Sequence, residues 1–391
     1  MTRTIEEINA KIKAGKVVVC TAEEVVGLVK QKGVKQAAAE VDVVTTGTFG
    51  PMCSSGIYFN IRQSTPKIKC GGGRATLAGV PVYAGWAAAD LLLGCSALPD
   101  EDPRNAVYPG LFGFGGAHII QGLVSGDRYK LVVHAYGTDC YPRKEYETEI
   151  GLEDLNNAVL FNPRNGYQLY NVAVNLGERT IHTYMGVLKP RLGNANYSTA
   201  GALSPLLKDP LLRTVGIGTR IFLGGAEGYV AWPGTQHVAN PARMPNGLPQ
   251  TPSATLALIG DLKQMDPRYL RAASITGYGA TLAVGFGLPI PVLDEEVMAH
   301  AAIPDSEITF PIIDYAEAYP LGRPGGLGRV SMAELMSGHI EIDGKKVATG
   351  CLASRVMARQ VAGELKARIQ AGGFLLSRPV AALPGAELAQ G

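Results

Sequence analysis

A loop that combines a thiol with charged side chains follows one of the apolar runs of the sequence. The run 131–136 predicts a buried strand, and the loop after it reads Gly137-Thr138-Asp139-Cys140-Tyr141-Pro142-Arg143-Lys144-Glu145. Cationic neighbours favour the thiolate form of a cysteine, and the thiolate is the reactive form. The loop therefore indicates a reactive site at Cys140. The alternative is a half-buried, inert cysteine in an ion-paired loop.

A second cysteine also follows a predicted strand. The apolar run 41–46 predicts a strand, and the loop 47–56 after it contains Cys53, Ser54 and Ser55 between glycines. Glycines let other groups approach the backbone closely, although a small buried residue in a turn would give the same pattern. Cys53 and Cys140 are 87 positions apart in the sequence. If both strands end at the same edge of a sheet, the two thiols meet there.

Several polar residues are further candidates for substrate binding or proton transfer. Arg164 lies between two asparagines and is a candidate for a bidentate clamp on a carboxylate, with a structural turn as the alternative. Arg143 and Lys144 would favour the Cys140 thiolate or bind a carboxylate, and Asp139 would hold an ammonium group or move a proton. His237 is the best candidate for a general acid among the six histidines, none of which has metal-ligand spacing.

The composition of the chain argues against several classes of protein. The chain has 391 residues, a net charge of +2 and 18% charged residues, so no basic footprint for nucleic acid is present. The amino terminus lacks the apolar core of a signal peptide. The uncharged run 272–293 is long enough to span a bilayer, but its glycines and prolines favour buried strands over a membrane helix. Six scattered cysteines without a C-x-x-C motif indicate free thiols in a reducing compartment, which predicts a cytoplasmic location.

The predicted fold class is α/β, with α+β as an alternative: a mixed sheet with flanking helices, a strand-rich middle and a long C-terminal amphipathic helix. A strand at 17–20, helices and the strand 41–46 predict a parallel unit. Capping boxes at Thr4/Glu7, Thr21/Glu24 and Ser331/Glu334 predict helix starts. Length predicts two domains, 1–150 with both cysteine loops and 151–391, although one intertwined domain is the alternative.

Four further segments receive a predicted structure. Residues 84–93 and 152–160 are predicted helices, the strands 170–175 and 179–184 are predicted to form a hairpin, and 340–342 pairs with 346–348 across Asp343-Gly344. The C-terminal helix covers 352–371, with Leu352, Val356, Val361, Leu365 and Ile369 toward the core.

The sequence motifs, taken together, resemble a known family. The blocks are Thr45-Thr46-Gly47-Thr48-Phe49-Gly50, Met52-Cys53-Ser54-Ser55-Gly56, the 137–144 loop, Asn162-Pro163-Arg164-Asn165, and those at 183–186, 216–225, 234–237, 260–263 and 288–293. The chain resembles the homocysteine-biosynthesis, sulfur-incorporating family of archaea and anaerobic bacteria over nearly its whole length.

The resemblance implies a function and a set of partners. It implies a sulfurtransferase that converts L-aspartate 4-semialdehyde and sulfide-level sulfur to L-homocysteine, a step toward methionine. It also implies that the two important cysteines are Cys53 and Cys140. Some relatives carry C-terminal CBS or ferredoxin-like domains; this chain has neither, which implies a separate ferredoxin-type reductant. The sulfur would come from sulfide or a donor protein, and a homo-oligomer is compatible with the pattern.

The chemistry leaves alternatives open. Turning an aldehyde into a thiol consumes two electrons, yet the sequence contains no dinucleotide fingerprint and no P-loop. Two thiols can supply the electrons by closing to a disulfide, or one can carry sulfur as a persulfide. Alternatively, Cys53 and Cys140 are two ligands of an iron–sulfur cluster that holds sulfide. A non-enzymatic module that senses a small metabolite is the third possibility.

Overall fold

Helices flank the sheets of this protein, whose structure is a computed structural model that describes residues 2–166, 170–316 and 326–389. The helices of these ranges are α1 (Ile5–Lys13), α2 (Ala22–Lys32), α3 (Val34–Glu40), α4 (Gly116–Ser125), α5 (Glu295–Ala301), α6 (Met332–Met336) and α7 (Arg355–Gln370). The three predicted capping boxes open α1, α2 and α6, each with both reciprocal hydrogen bonds. The predicted helix starts are therefore confirmed.

Short strands make up most of the remaining regular structure. In the first half of the chain they are β1 (Val19–Thr21), β2 (Val43–Thr45), β3 (Pro51–Met52), β4 (Gly56–Ile61), β5 (Arg74–Leu77), β6 (Val80–Val82), β7 (Asp90–Gly94), β8 (Tyr129–His134), β9 (Glu145–Ile150), β10 (Leu155–Asn165), β11 (Val172–Val174), β12 (Ile181–Thr183), β13 (Gly186–Leu188) and β14 (Ala195–Tyr197). In the second half they are β15 (Gly216–Ile217), β16 (Arg220–Leu223), β17 (Ala226–Pro233), β18 (Leu256–Asp261), β19 (Leu270–Ile275), β20 (Gly279–Val284), β21 (Phe286–Gly287), β22 (Pro289–Pro291), β23 (Thr309–Asp314), β24 (Arg329–Ser331), β25 (His339–Ile342), β26 (Lys345–Cys351) and β27 (Ala381–Ala382). Helices and mixed sheets together confirm the α/β class.

The predicted parallel unit at the start of the chain is present. Strand β1 pairs with β2 in parallel, with α2 and α3 between them, and β22 adds antiparallel to the other side of β2. The residues that follow β2 lead directly to Cys53. The local order of strand, helix and strand thus places the Cys53 loop at the C-terminal end of a buried strand, as predicted.

A seven-stranded antiparallel sheet forms the centre of the structure, in the order β21-β16-β17-β18-β10-β4-β7. On β4, Ile57, Phe59 and Ile61 alternate into the core, which is the period of a half-buried strand. The predicted helices at 84–93 and 152–160 are wrong, because each of these segments provides a strand of this sheet. Strand β7 pairs with β4, and β10 pairs with both β4 and β18. In both segments, hydrogen bonding to neighbouring strands decides the structure, although the spacing of the apolar residues resembles that of a helix.

Two further sheets flank this centre. A six-stranded mixed sheet has the order β24-β23-β11-β14-β26-β25, and a four-stranded sheet, β6-β5-β8-β9, carries Cys140 in the turn after β8. The predicted hairpin between 170–175 and 179–184 is wrong, since β11 pairs with β14 and β23 while β12 pairs with β13. The hairpin of β25 and β26 is confirmed; Asp343 and Gly344 both have the positive φ that a tight hairpin turn requires.

Helix α7 packs on the central part of the molecule much as its pattern predicts. Val361, Leu365 and Ile369 are buried. The predicted core position of Val356 is wrong: this side chain is 63% exposed, because the buried side chains, which begin at Ala358, lie on the opposite face of α7. One hydrophobic cluster contains residues from Ala22 to Leu383, and the central sheet takes strands from both sides of position 150. The boundary at residue 150 stays a prediction.

None of the helices in the described part of the chain combines the length and the apolar content that crossing a bilayer requires.

A lysine lies entirely inside the protein. Lys208 is fully buried, and its amine donates a hydrogen bond to the carbonyl oxygen of Ile303. Burial disfavours the ammonium form and lowers the pKa of Lys208 to about 7, although the nearby Asp305 carboxylate acts in the opposite direction. The ordinary lysine pKa is about 10.4. Between the folded and the unfolded pKa of Lys208, the unfolded chain binds more protons than the folded one. The free energy of unfolding therefore rises with pH in this range.

We expect the free energy of unfolding of the wild-type protein to rise by about 2 kcal/mol between pH 7 and pH 9 because of this lysine. Replacing it in Lys208→Met should remove that rise, since methionine has a similar volume and does not titrate. Denaturant midpoints of both proteins at pH 7, 8 and 9 measure the difference. Lys346→Met, at an exposed position, is the matched control and should keep the wild-type pH dependence. Equal pH dependence in Lys208→Met and the wild type would contradict this account.

Candidate functional site

Cys53 lines a cavity at the junction of three sheets. It lies in the turn between β3 and β4, and β3 pairs with β20 through Met52 and Leu282. Among the described residues that line the cavity, Arg164 is the only charged one. Hydroxyl groups surround the space, and they belong to Thr48, Ser198, Thr199, Ser204, Tyr170, Tyr184 and Tyr278. The cavity thus presents one thiol and one positive charge to a small polar ligand.

Hydrogen bonds to its backbone fix the Cys53 turn. The Cys53 carbonyl oxygen accepts from the Cys95 thiol at 3.0 Å and from the Ser96 hydroxyl at 2.9 Å. The backbone N–H of Cys95 donates to the Ser55 carbonyl at 2.9 Å. Cys95 is fully buried, and burial raises its pKa to about 12. Its thiol therefore stays protonated and acts as a hydrogen-bond donor, a role that no pattern in the sequence indicated.

The side chain of Asn162 joins the Cys53 turn to Arg164. Its amide nitrogen donates to the Ser55 hydroxyl at 2.8 Å, and its oxygen accepts from the backbone N–H of Arg164 at 2.9 Å. A register shift between Asn162 and Asn165 in strand β10 marks a β-bulge, which turns the Arg164 side chain toward the cavity. Ser54 and Ser55, predicted to bind substrate, lie outside the cavity lining. Their hydroxyls bond to the Asn162–Arg164 segment.

The 234–237 turn supports the guanidinium of Arg164. Gln236 accepts a hydrogen bond from Nη1 of Arg164 at 2.7 Å, and the Thr235 N–H donates to the Pro163 carbonyl at 2.7 Å. Gln236 has a φ of +65°, an unusual conformation for a residue with a side chain. His237, predicted to donate protons, instead has its Nε2 2.9 Å from the carbonyl oxygen of Pro384 and lies outside the cavity lining.

Tyrosines form one wall of the cavity. The hydroxyls of Tyr184 and Tyr315 are 2.8 Å apart, and the buried amide of Asn171 donates to the Tyr315 hydroxyl at 2.6 Å. The ring of Tyr184 also lies 6.0 Å from that of Tyr278 and 6.2 Å from that of Tyr170, measured between centroids. The sequence motif at 183–186 contained Tyr184, but its type alone did not indicate a position beside Cys53.

Cys140 lies in a different place. It is exposed, and the loop that carries it is bonded through Arg143, whose backbone N–H donates to the carbonyl of Lys67 and whose side chain donates to that of Thr65. These two residues follow the C-terminal end of β4, whereas Cys53 precedes its N-terminal end. Strand β4 spans about 17 Å. The expectation that the two cysteine loops meet at one sheet edge is therefore wrong.

The other polar residues predicted near Cys140 share its location. Asp139, Arg143 and Lys144 belong to the same loop and are absent from the described lining of the Cys53 cavity, while the Thr138 hydroxyl lies 3.6 Å from the Cys140 sulfur. Lys69, which no sequence motif singled out, donates to the Tyr136 hydroxyl at 2.7 Å. This hydrogen bond, with smaller contributions that include the charge of Cys140, raises the pKa of Lys69. The loop therefore forms a second, separate group of reactive and charged side chains.

The thiols do not form a set that fits an iron–sulfur cluster. Such a cluster needs several thiolates around one centre. Cys95 is the cysteine that contacts the Cys53 turn, and Cys140 lies at the other end of β4. Within residues 2–166, 170–316 and 326–389, no three His, Cys, Asp or Glu side chains are arranged to hold a metal ion.

Comparisons with known proteins identify relatives along almost the whole chain. Residues 17–376 match the model of a family described as homocysteine biosynthesis enzyme, sulfur-incorporation. A protein of Methanosarcina acetivorans named L-aspartate semialdehyde sulfurtransferase is 47% identical over 97% of this chain and 71% of its own length. A protein of Methanocaldococcus jannaschii with the same name is 46% identical over 98% of this chain and 74% of its own length. No solved structure matches.

The Asn162 side chain gives a test of how the cavity is held together. In Asn162→Ala the Ser55 hydroxyl and the Arg164 N–H lose their buried partner, so we expect a loss of about 1–3 kcal/mol in the free energy of unfolding. The Cys53 turn should also loosen and react faster with iodoacetamide, as followed by mass spectrometry of the Cys53 peptide. Asn156→Ala is the matched control, because Asn156 is an exposed residue of the same strand. Similar labelling rates in the two variants would contradict the role given to Asn162.

Proposed function

The chain belongs to the homocysteine biosynthesis, sulfur-incorporation enzyme family, and on that premise we propose that it forms L-homocysteine from L-aspartate 4-semialdehyde, sulfide-level sulfur and two electrons. The observation that carries the proposal is that Cys53 and Arg164 line one cavity. A small amino acid with an aldehyde group needs a cationic partner for its carboxylate and a sulfur atom near its aldehyde carbon. The cavity offers one group for each need.

Arg164 binds the α-carboxylate in this proposal. Its guanidinium carries the only charge among the described lining residues, and a planar guanidinium pairs with a carboxylate through two parallel hydrogen bonds. The bond to Gln236 holds the guanidinium in place before the substrate arrives. Preorganisation of this kind lowers the entropic cost of binding. The carboxylate is thereby fixed, and the aldehyde can extend toward Cys53.

Cys53 directs sulfur to the aldehyde carbon. Overall, the aldehyde, one molecule of hydrogen sulfide, two electrons and two protons give the thiol and one water. With sulfide as the source, Cys53 forms no persulfide, because that would need a two-electron oxidant; its thiolate adds to the aldehyde carbon, sulfide replaces it there as water leaves, and the two electrons reduce the resulting thiocarbonyl to the thiol. If a donor protein instead loads Cys53 with sulfane sulfur, the terminal sulfur of the persulfide adds to the aldehyde carbon, and the external reductant supplies four electrons, two for the S–S bond and two for the carbon.

The pair of Tyr184 and Tyr315 supplies the proton for the departing oxygen. The Tyr184 hydroxyl belongs to the cavity wall and is hydrogen-bonded to that of Tyr315, which in turn accepts from Asn171. A positioned hydroxyl can act as a general acid toward the carbonyl oxygen, which leaves as water. This role replaces the one predicted for His237, which contacts Pro384 instead.

The electrons come from a separate protein of the ferredoxin type, and Cys140 takes part where that protein meets the chain. Exposure of Cys140 supports this assignment, because a residue on the surface is open to contact with a protein partner; the thiol itself gains and loses no electrons in this proposal. Cys53 is half-buried in the substrate cavity. The two cysteines therefore have separate roles.

Substituting the cysteines tests the proposed reaction. With L-aspartate 4-semialdehyde, sulfide and reduced ferredoxin under anaerobic conditions, we expect Cys53→Ala to lower homocysteine formation by roughly 10³-fold, because the thiol that directs the sulfur is lost. Cys140→Ala should lose activity with ferredoxin as the donor. Cys20→Ala is the control and should retain wild-type turnover. Product is quantified by mass spectrometry, and full activity in either the Cys53 or the Cys140 variant would refute the assignment.

Arg164 gives a second test, directed at substrate binding. In Arg164→Gln the charge is lost while hydrogen-bonding capacity remains, so the KM for the aldehyde should rise roughly 10- to 100-fold with a smaller change in kcat. Arg191→Gln, at an exposed position outside the cavity lining, should leave both constants at wild-type values. Steady-state kinetics with varied aldehyde concentration measure the two constants. An unchanged KM in Arg164→Gln would show that the carboxylate binds elsewhere.

A further inference from the structure

Two side-chain hydroxyls of the cavity wall form a hydrogen-bonded pair, which we call the hydroxyl pair. The oxygens of Thr199 and Ser204 are 3.0 Å apart, and both residues line the cavity that contains Cys53. The Thr199 oxygen accepts from the backbone N–H of Gly201 at 3.2 Å, and the Ser204 oxygen accepts from that of Ala200 at 3.2 Å. The backbone of its own turn therefore holds the hydroxyl pair, which no sequence motif singled out.

The hydroxyl pair keeps one donor and one acceptor for a ligand. Each hydroxyl group has one hydrogen to donate and two lone pairs that accept. The bond between the two hydroxyls uses one hydrogen and one lone pair, and the two backbone N–H groups use two more lone pairs. Hydrogen bonds within the described part of the chain thus leave one hydrogen and one lone pair at the cavity wall.

The segment that carries the hydroxyl pair packs against the segment that carries Arg164. A Cβ on Gly166 would be 2.9 Å from Cδ1 of Leu206, so the chain just after Arg164 touches the chain just after Ser204. Gly166 and Pro205 both line the cavity at this contact. A ligand whose carboxylate is bound by Arg164 therefore presents the neighbouring atoms of its head group to this part of the wall.

An ion pair fixes the turn between Thr199 and Ser204. The backbone N–H of Ala202 donates to one carboxylate oxygen of Asp305 at 2.7 Å, and Arg355 donates to the other at 2.7 Å. The Asp305 and Arg355 side chains are only 15% and 18% exposed. Groups that are held in place before a ligand arrives lose little entropy when it binds. The hydroxyl pair is therefore preorganised.

The roles assigned above leave the α-ammonium group of the substrate without a partner. Arg164 is the only charged side chain of the described cavity lining, so no carboxylate of that lining pairs with the ammonium group. Asp139, predicted from the sequence to hold an ammonium group, lies in the Cys140 loop and outside this lining. A charged amine that leaves water needs hydrogen-bond acceptors in its place.

We propose that the Thr199–Ser204 hydroxyl pair binds the α-ammonium group of the substrate and so selects an aldehyde with an α-amino group over one without it. The remaining lone pair accepts from the ammonium group, and the remaining hydrogen is donated to the carboxylate that Arg164 holds. A site built to bond a substrate N–H discriminates against the analogue that lacks it, because a buried group then stays unpaired. The inference rests on the proposed function for the aldehyde, and on the geometry of the wall for the amino-acid head group.

Two aldehydes that differ only in the amino group test the proposal. 4-Oxobutanoate has the carboxylate, the aldehyde and the chain length of L-aspartate 4-semialdehyde but no amino group. We expect the wild type to prefer the amino aldehyde by roughly 10- to 100-fold in kcat/KM, the range of one charge-assisted hydrogen bond. In Ser204→Ala and in Thr199→Val the preference should fall to roughly three-fold or less, mainly through slower use of the amino aldehyde.

The preference is a ratio measured within one protein, so a smaller folded fraction of a variant lowers both rates equally and cancels. Ser125→Ala is the control: this serine is exposed on α4, and its hydroxyl also donates to a backbone carbonyl, that of Gln121. It should keep the wild-type preference. The absence of a preference in the wild type, or an unchanged preference in both variants of the hydroxyl pair, would overturn the proposal.

Binding of unreactive analogues separates this inference from the proposed function. L-Homoserine and 4-hydroxybutanoate carry a hydroxyl group in place of the aldehyde, and calorimetry of their binding requires neither sulfur nor electrons. We expect the wild type to bind L-homoserine roughly ten-fold or more tightly than 4-hydroxybutanoate, and Ser204→Ala to bind both with similar affinity. If this result is obtained but no homocysteine forms, the proposed function fails and the amino-acid site stands. If homocysteine forms but the wild type binds both analogues equally, the ammonium group is bound elsewhere and the inference fails.

Discussion

One buried amide couples the two groups to which we assign the chemistry of this protein. Asn162 is almost fully buried, and it bonds at once to the turn that carries Cys53 and to the backbone of Arg164. In a low-dielectric interior such bonds are strong, and an unpaired partner is costly. The thiol and the guanidinium are therefore held relative to each other. The β-bulge of strand β10 makes this possible, because it lets Asn162 face the turn while Arg164, two positions later, faces the cavity.

Close packing of the 47–50 loop on helix α7 completes the cavity on the opposite side. A Cβ on Gly47 would lie 2.2 Å from the carbonyl oxygen of Ala358, so any other residue there would push the loop off the helix. Gly50 approaches Ala353 in the same way, and Ala353 lines the cavity just before α7 begins. The sequence pattern predicted that glycines of this loop let other groups approach the backbone closely, and at Gly47 the group that approaches is the protein's own helix α7.

Sequence signals that involve neighbouring residues correctly predicted the features that short-range interactions determine. The capping boxes correctly predicted the starts of α1, α2 and α6, and the Asp343-Gly344 pair correctly predicted a hairpin. Each of these features depends on residues only a few positions apart. The helix predicted at 152–160 is wrong because the apolar spacing of this segment suits a helix, whereas its pairing with β4 and β18 makes it a strand. These two strands lie about 100 positions away on either side. The place of Cys53 in a loop after a buried strand could be predicted from the sequence, but its position in a cavity could not. The tyrosine wall, the Cys95 donor and the distance to Cys140 depend on long-range pairing that spacing does not reveal.

The separation of the two thiols constrains how they can cooperate. A disulfide requires Cα atoms within about 7 Å, whereas Cys53 and Cys140 lie toward opposite ends of β4. Moving the Cys140 loop along the strand would break the hydrogen bonds of Arg143 to Thr65 and Lys67, as well as that between Ala135 and Lys144. Each of these contributes about 1 kcal/mol, and the loop would also have to leave its sheet. The fold thus favours separate roles for the two thiols over a direct disulfide between them, because Cys53 lies in the cavity and Cys140 lies at the surface.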